Sequence, residues 1–368
     1  MRIVYFTHSL ASCWNHGNAH FLRGVLRELI ALGHDVRVWE PQNPWSLANL
    51  LADHGEAGLG PWRAAYPELS SRSYGPDFDV EEMCDGADLV IVHEWNDPEL
   101  VAAVGLARRK GRFTALFHDT HHRAVSAPEE MRAFDLGDYD GVLAFGEALA
   151  EVYRDWGWGD RAFVWHEAAD TRLFAPPAGE ELRDGLVWIG NWGDGEREAE
   201  IEQFLLAPSV AAGMALDIYG VRYPAAALER LALAGARYCG WLPNARAPEI
   251  FARHLATVHV PRRFYAEALP GIPTIRMFEA LACGIPLVSA PWSDAEGLFR
   301  PGEDFLFAQN GDEAAQHLKA LRDDPELHLS LARSGLETIR ARHTCAHRAA
   351  ELLAIAGRLD ARLNVEAA

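Results

Sequence analysis

The chain predicts an α/β protein built from two doubly wound domains. Three observations carry that prediction: a length of 368 residues, a regular alternation of short apolar runs with helix-period segments, and a restart of that alternation after a proline-rich junction. The composition is that of a globular protein, with 49% hydrophobic and 24% charged residues and no long polar tract. A net charge of −19 argues against a general affinity for nucleic-acid phosphates or anionic lipid, while leaving room for a local basic pocket.

In the first half, RIVYFTH (2–8) reads as a strand. NAHFLRGVLRELIAL (18–32) places Phe21, Leu22, Val25, Leu29 and Leu32 on one helical face, and GHDVRVWEP (33–41) returns as a strand. The unit recurs with strands at 87–94, 113–119, 140–146 and 161–167 and helices at 98–110 and 147–156. Buried strands separated by helices imply a parallel sheet covered on both faces. Residues 168–185, with paired prolines and mixed charge, are the junction. Beyond it, strands are expected at 185–191, 215–220, 236–242, 256–261 and 285–291, and helices at 196–206, 225–234, 248–255 and 274–283. Two amphipathic helices (312–324, 325–343) and a terminal one (345–359) follow. The expected domains are 1–175 and 176–345, with helix 346–368 packing back on the first. Open parallel sheets bind ligands at the carboxyl ends of their strands, so a cleft between the domains is the expected active site.

The five cysteines lie far apart with no CxxC pair, which fits free thiols in a reducing, cytoplasmic setting. The N-terminus turns polar too quickly for a signal peptide, and no apolar run is long enough to span a bilayer.

The chemistry concentrates in GIPTIRMFEALACGIPLVSAP (271–291), where Arg276 and Glu279 are lone charges in an apolar run. Together with GNAHFLRGVLRELIALGHDVRV, HEAADTRLFAP, VWIGNWGDGERE, LDIYG and YCGWLP, in that order and spacing, this stretch resembles the GT-B glycosyltransferases that use nucleotide-activated sugars, and in particular their CgeB-like spore-maturation branch. The resemblance implies two Rossmann-like domains facing each other across a cleft, with the acceptor on the first and the donor on the second. It further implies that Glu279 grips the donor ribose and that the backbone of 271–276, including Thr274 and Ile275, faces the diphosphate.

That assignment is chemically sensible on its own terms. A helix N-terminus offers unpaired N–H groups and a partial positive charge to phosphate oxygens, and one cation, Arg276, completes the site. A glutamate within the first two turns can accept from vicinal hydroxyls. The same residues also admit a plainer description as an exposed i,i+3 ion pair.

Further donor contacts are expected from Gly190, Asn191 and Arg197 in the glycine-rich GNWGDGERE loop, from Tyr219, Gly220 and Trp241 beside the nucleobase, and from Arg262 and Arg263 after VHVP. Many relatives carry a glutamate eight positions before the ribose-binding one and an arginine after the first loop glycine; here those positions hold Gly271 and Asn191. The sugar is therefore left open. In the first domain, the resemblance places His118 near the anomeric centre, with Asp119 orienting it or acting as base. Asn15, His16, Gly17, Asn18 and His93 are placed on the acceptor side, with Asn18 alternatively a simple helix cap.

His118, His121 and His122 could instead hold a metal, but the resemblance requires neither metal nor cofactor. The two Asp-x-Asp triplets, Asp77–Asp79 and Asp138–Asp140, do not leave strands as a metal-binding pair would. No P-loop, GxGxxG or GxSxG motif is present. The expected function is retaining, metal-independent transfer of a sugar from a nucleoside diphosphate to an unidentified hydroxyl acceptor. The alternatives are a nucleotide-sugar epimerase of the same fold and a catalytically silent nucleotide-sugar-binding protein.

Overall fold

A computed structural model describes residues 1–179, 183–193 and 195–366. It divides into two compact units, residues 1–167 with 345–368, and residues 168–344.

The first unit holds a seven-stranded, all-parallel sheet in the order β3-β2-β1-β4-β5-β6-β7. Its strands are β1 (Arg2–Phe6), β2 (Asp35–Pro41), β3 (Arg72–Tyr74), β4 (Leu89–His93), β5 (Thr114–Asp119), β6 (Gly141–Ala144) and β7 (Ala162–Val164). Ile3, Val4, Phe6, Leu89, Val90, Ile91, Val92, Leu116 and Phe117 have no exposed surface, as expected of strands covered on both faces. Helix Ala19–Ala31 buries Phe21, Leu22, Val25 and Leu29, the face read from the sequence, whereas Leu32 is 59% exposed beyond its end. The C-terminal helix Cys345–Glu366 packs against that helix, and Trp165 donates its indole N–H to the carbonyl of Arg348 (2.9 Å).

The second unit has a six-stranded parallel sheet, order β10-β9-β8-β11-β12-β13. It comprises β8 (Leu186–Ile189), β9 (Leu216–Tyr219), β10 (Arg237–Gly240), β11 (Ala256–His259), β12 (Leu287–Ser289) and β13 (Leu306–Phe307). The helix expected at 196–206 starts at Glu198 and continues to Ala212 through a π-turn at Glu202–Leu206. Strands β3 and β13, and the helices Trp45–His54 and Arg263–Ala268, add to what the sequence predicts.

In each sheet the strand order reverses once, between β1 and β4 and between β8 and β11. Connections leave for opposite faces at such a point, so a crevice opens outside the strand ends there. Both groups of candidate residues lie at these switch points.

Candidate functional site

In the second unit, helix Ile275–Ala282 begins after Thr274, whose side chain makes no cap, so the first-turn N–H groups are left uncapped by it. Gly271 precedes the helix with φ +90 and donates its N–H to the carbonyl of Ser293 (2.6 Å). Only glycine suits this place, because a Cβ would also come within 2.8 Å of the Glu296 carboxylate.

Arg276 and Glu279 are not an exposed pair. Glu279 is fully buried; one carboxylate oxygen accepts from Arg276 and the other from Asn244 Nδ2 (2.6 Å). Arg276 also donates through Nε to the carbonyl of Ile189 (3.0 Å), at the end of β8. Burial raises the Glu279 carboxyl, while Arg276 and Asn244 pull it back down. Asn244 arrives from the turn after β10 and was not expected from the sequence.

The loop after β8 folds across the strand ends. Gly190 donates its N–H to Tyr219 O (2.9 Å) and accepts from the Tyr223 hydroxyl (2.8 Å). Gly220 lies so close to the Gly190 carbonyl that a Cβ there would sit 2.2 Å from it. Asn191 accepts the Val221 N–H on Oδ1 (3.1 Å) and an Arg197 N–H on its carbonyl (2.6 Å). The Arg197 guanidinium lies over the Trp188 ring (5.2 Å) and also donates to Val260 O (3.3 Å). Arg262 pairs with Glu196 (2.7 Å) and Arg263 with Glu200 (3.3 Å).

Arg197 is pushed down to about 10, first by burial and then by the positive charges of Arg262 and Arg276. Of these neighbours, Arg262 is paired with Glu196 and Arg276 with Glu279, while Arg197 donates to the carbonyls of Asn191 and Val260. The structure brings Gly190, Asn191, Arg197, Gly220, Arg262 and Arg276 to the ends of β8, β9 and β11 or the turns leading from them. Tyr219 and Trp241 are half-buried at the ends of β9 and β10.

In the first unit, register pairs His93 at the end of β4 with His118 on β5. Asn18 Nδ2 lies 2.7 Å from His93 Nε2 and 3.2 Å from Thr120 Oγ1, and the His93–Thr120 distance is 3.0 Å. Asn18 makes no side-chain cap, so its position at the helix entrance serves this cluster instead. Thr120 also donates to Glu94 (3.4 Å), a fully buried carboxylate held by Arg123. Burial, and then the nearby Asp119, push Glu94 up to about 8. Asp119 accepts from Tyr153 OH (2.8 Å) and the His121 N–H (3.0 Å), and burial lifts it to about 6.

His118 has no exposed surface. Its Nδ1 meets the Tyr5 hydroxyl at 2.6 Å, its ring packs edge-on to Trp165, and burial holds it down at about 3. His16 and His93 are buried as well, while Asn15 and Gly17 are exposed in the loop before the first helix. Glu94, Thr120 and Arg123 were not singled out from sequence; the signal was a polar His-Glu step ending the apolar run of β4. Three of the four Asp-x-Asp aspartates have structural partners, with Asp138 bonded to Arg109, Asp140 to Arg108, and Asp79 capping the Glu82 N–H.

Two family models match the chain. One described as "Glycosyl transferase-like" covers residues 197–354, and one described as "Glycosyltransferase Family 4" covers residues 17–173. No curated protein matches by sequence. Among solved structures, HepE of Anabaena in complex with UDP and glucose superposes with a TM-score of 0.67 at 13% identity, covering 96% of this chain and 98% of that one. A glycosyltransferase from Rickettsia africae gives 0.65 at 10% identity, with 97% and 98% covered. The sucrose-phosphate synthase of Thermosynechococcus elongatus gives 0.62 at 14% identity over the full length of both. With a glycosyltransferase model matched on each half and this fold throughout, the chain is a glycosyltransferase of the GT-B type.

Proposed function

We propose that the second unit binds a nucleoside diphosphate sugar and that the enzyme passes the sugar to a hydroxyl acceptor met by the first unit. The observation that carries this is the placing of two guanidinium groups at the end of β8, Arg276 on the carbonyl of Ile189 and Arg197 on that of Asn191, with Arg276 in the first turn of helix Ile275–Ala282, which the Thr274 side chain does not cap. A departing diphosphate is an anion, and preorganised donors aimed at developing charge are the largest contribution a protein can make to such a step. HepE, similar in fold, has been crystallised with UDP-glucose, which makes UDP-sugars the first donors to try.

On this reading, donor arrival exchanges partners: Arg276, the more exposed member of its pair, turns to the diphosphate, and Glu279 is freed to accept from ribose hydroxyls. Trp241 or Tyr219 stacks on the base. The transfer retains anomeric configuration and needs no divalent metal, since the guanidinium groups neutralise the leaving group. Asp119 serves as base or orients its neighbours; Asn18 and His93 face the acceptor; fully buried His118 acts through His93, whose ring lies 5.4 Å away. The motif order also supports placement in the CgeB-like branch, and five cysteines without a disulfide among the described residues support a cytoplasmic setting.

The test is a thermal-shift screen with nucleoside diphosphates and their sugars, because a ligand that binds only the folded state raises the melting temperature. A shift with at least one of them, and its loss with turnover in Arg276→Ala and Glu279→Ala, is expected. Wild-type rates in both variants would refute the site. Full activity after chelation with EDTA is expected, and its loss would overturn the metal-independent reading.

A further inference from the structure

Near the donor residues, His259 Nε2 and the Trp292 indole N–H are buried with no hydrogen bond among the described residues. His259 ends β11 and is paired in register with Ser289 of β12; the two are 2% and 0% exposed. Its Nδ1 lies 2.9 Å from Ser289 Oγ, and the Ser289 hydroxyl donates to the carbonyl of Ala290 (2.9 Å). With that proton spent, Ser289 Oγ is an acceptor towards His259. The imidazole therefore carries its proton on Nδ1 and leaves Nε2 as a bare lone pair. That Nε2 is buried and unbonded, and so is the indole N–H of Trp292, whose ring stands edge-on to His259 at 6.2 Å. A buried donor and a buried acceptor on two rings whose centroids are 6.2 Å apart each cost free energy while unbonded.

Their surroundings are those of the donor. The residue after His259 accepts from Arg197 through its carbonyl, and the residue after Trp292 accepts from the Gly271 N–H (2.6 Å). A phosphate has only acceptor oxygens to offer a lone pair and cannot satisfy Nε2. A hydroxyl can give its proton to Nε2 and accept from the indole at once.

We propose that His259 and Trp292 together read one hydroxyl on the sugar of the bound donor, setting which sugar is taken. This rests on the donor reading above and adds a specificity element to it. Burial, and then Arg197, keep the imidazole neutral at ordinary pH, so the lone pair stays available.

The test uses the full chain and calorimetric binding of bare UDP, GDP, ADP and dTDP, of their hexose conjugates, and of monodeoxyfluoro analogues of the tightest conjugate. His259→Phe removes both imidazole nitrogens and Trp292→Phe removes the indole N–H, each leaving an aromatic ring in place; His259→Gln keeps an acceptor. Each Phe variant is expected to weaken the conjugate about tenfold and the bare diphosphate less than twofold. Gln should recover part of the loss. One deoxyfluoro analogue should bind wild type about tenfold more weakly than the parent and bind His259→Phe no more weakly than the parent does. Equal losses for conjugate and bare diphosphate would make the pair structural and overturn the inference. Unchanged affinities would overturn it too, assigning the two atoms to a bridging buried water. If wild type binds no nucleoside diphosphate, the donor reading itself fails and takes this inference with it.

Discussion

Replacing Arg276 by alanine tests whether the Glu279 carboxylate is held charged in the interior by its neighbours. Glu279 has no exposed surface, and its oxygens are shared between Arg276 and Asn244. Removing one partner of a buried ion pair costs about 3–5 kcal/mol, because the other charge is left uncompensated. A carboxyl can escape by taking a proton, and that escape sets a ceiling. From the ordinary value of 4.5, protonation costs about 1.4 kcal/mol at pH 5.5 and about 4.8 kcal/mol at pH 8, at roughly 1.4 kcal/mol per unit. The folded carboxyl of the variant lies above its unfolded value, so its contribution to stability is present at low pH and lost as pH rises through the folded value. Urea unfolding of wild type and Arg276→Ala, paired at each pH so that other titrations cancel, should therefore show a destabilisation that grows by up to about 3 kcal/mol between pH 5.5 and 8. Adding Glu279→Gln should abolish that growth. A destabilisation equal at both pH values, or one that still grows in the double variant, would refute the reasoning.

Several buried histidines set the acid limit of the fold. His8 is held down at about 4 and His16, His118 and His259 at about 3, all chiefly by burial, so each contributes stability that is complete above the ordinary 6.5 and lost as pH falls towards the folded value. Glu94 works the other way, since its stability contribution is lost as pH rises towards about 8. Guanidinium unfolding should accordingly find maximum stability between pH 6 and 7.5, with loss on both sides; a plateau from pH 4.5 to 6.5 would contradict the neutral histidines. Gly271→Ala should cost about 1–3 kcal/mol in unfolding free energy, because it combines a left-handed backbone with crowding by Glu296. Gly220→Ala drives a methyl into the Gly190 carbonyl, and calorimetry should show weaker nucleoside diphosphate binding even where circular dichroism shows an intact fold.

The legible parts of this protein are those in which one residue type must repeat. Strands β1, β4, β5 and β8 show as continuous apolar runs because they are covered on both faces, and the helix at Ala19–Ala31 shows because one face alone is buried. Strands β3 and β13 carry no such signal, being two or three residues long at sheet edges, with two of the three β3 residues exposed. The candidate site divides along the same line. Arg276 and Glu279 stand out because charge in an apolar helix needs a reason, and the structure supplies one by burying the glutamate between two donors. Asn244 and Thr120 do not stand out. A lone polar residue in a turn looks the same whether it faces water or a carboxylate brought in from 35 positions away, and only tertiary packing tells the two apart. His118 is the instructive case. At the end of an apolar strand a histidine reads as a group presented to a ligand, yet here Phe21, Trp165 and Tyr5 close over it, and its side-chain hydrogen bond is to a tyrosine hydroxyl. Position along a strand indicates which end of the sheet a side chain occupies, and the helices laid across that face decide whether it meets solvent. Strand position is therefore better read together with hydrogen-bond satisfaction: His118 Nε2, like His259 Nε2 and the Trp292 N–H, is buried with no hydrogen bond among the described residues, which marks all three as places where a ligand or water would be stabilised.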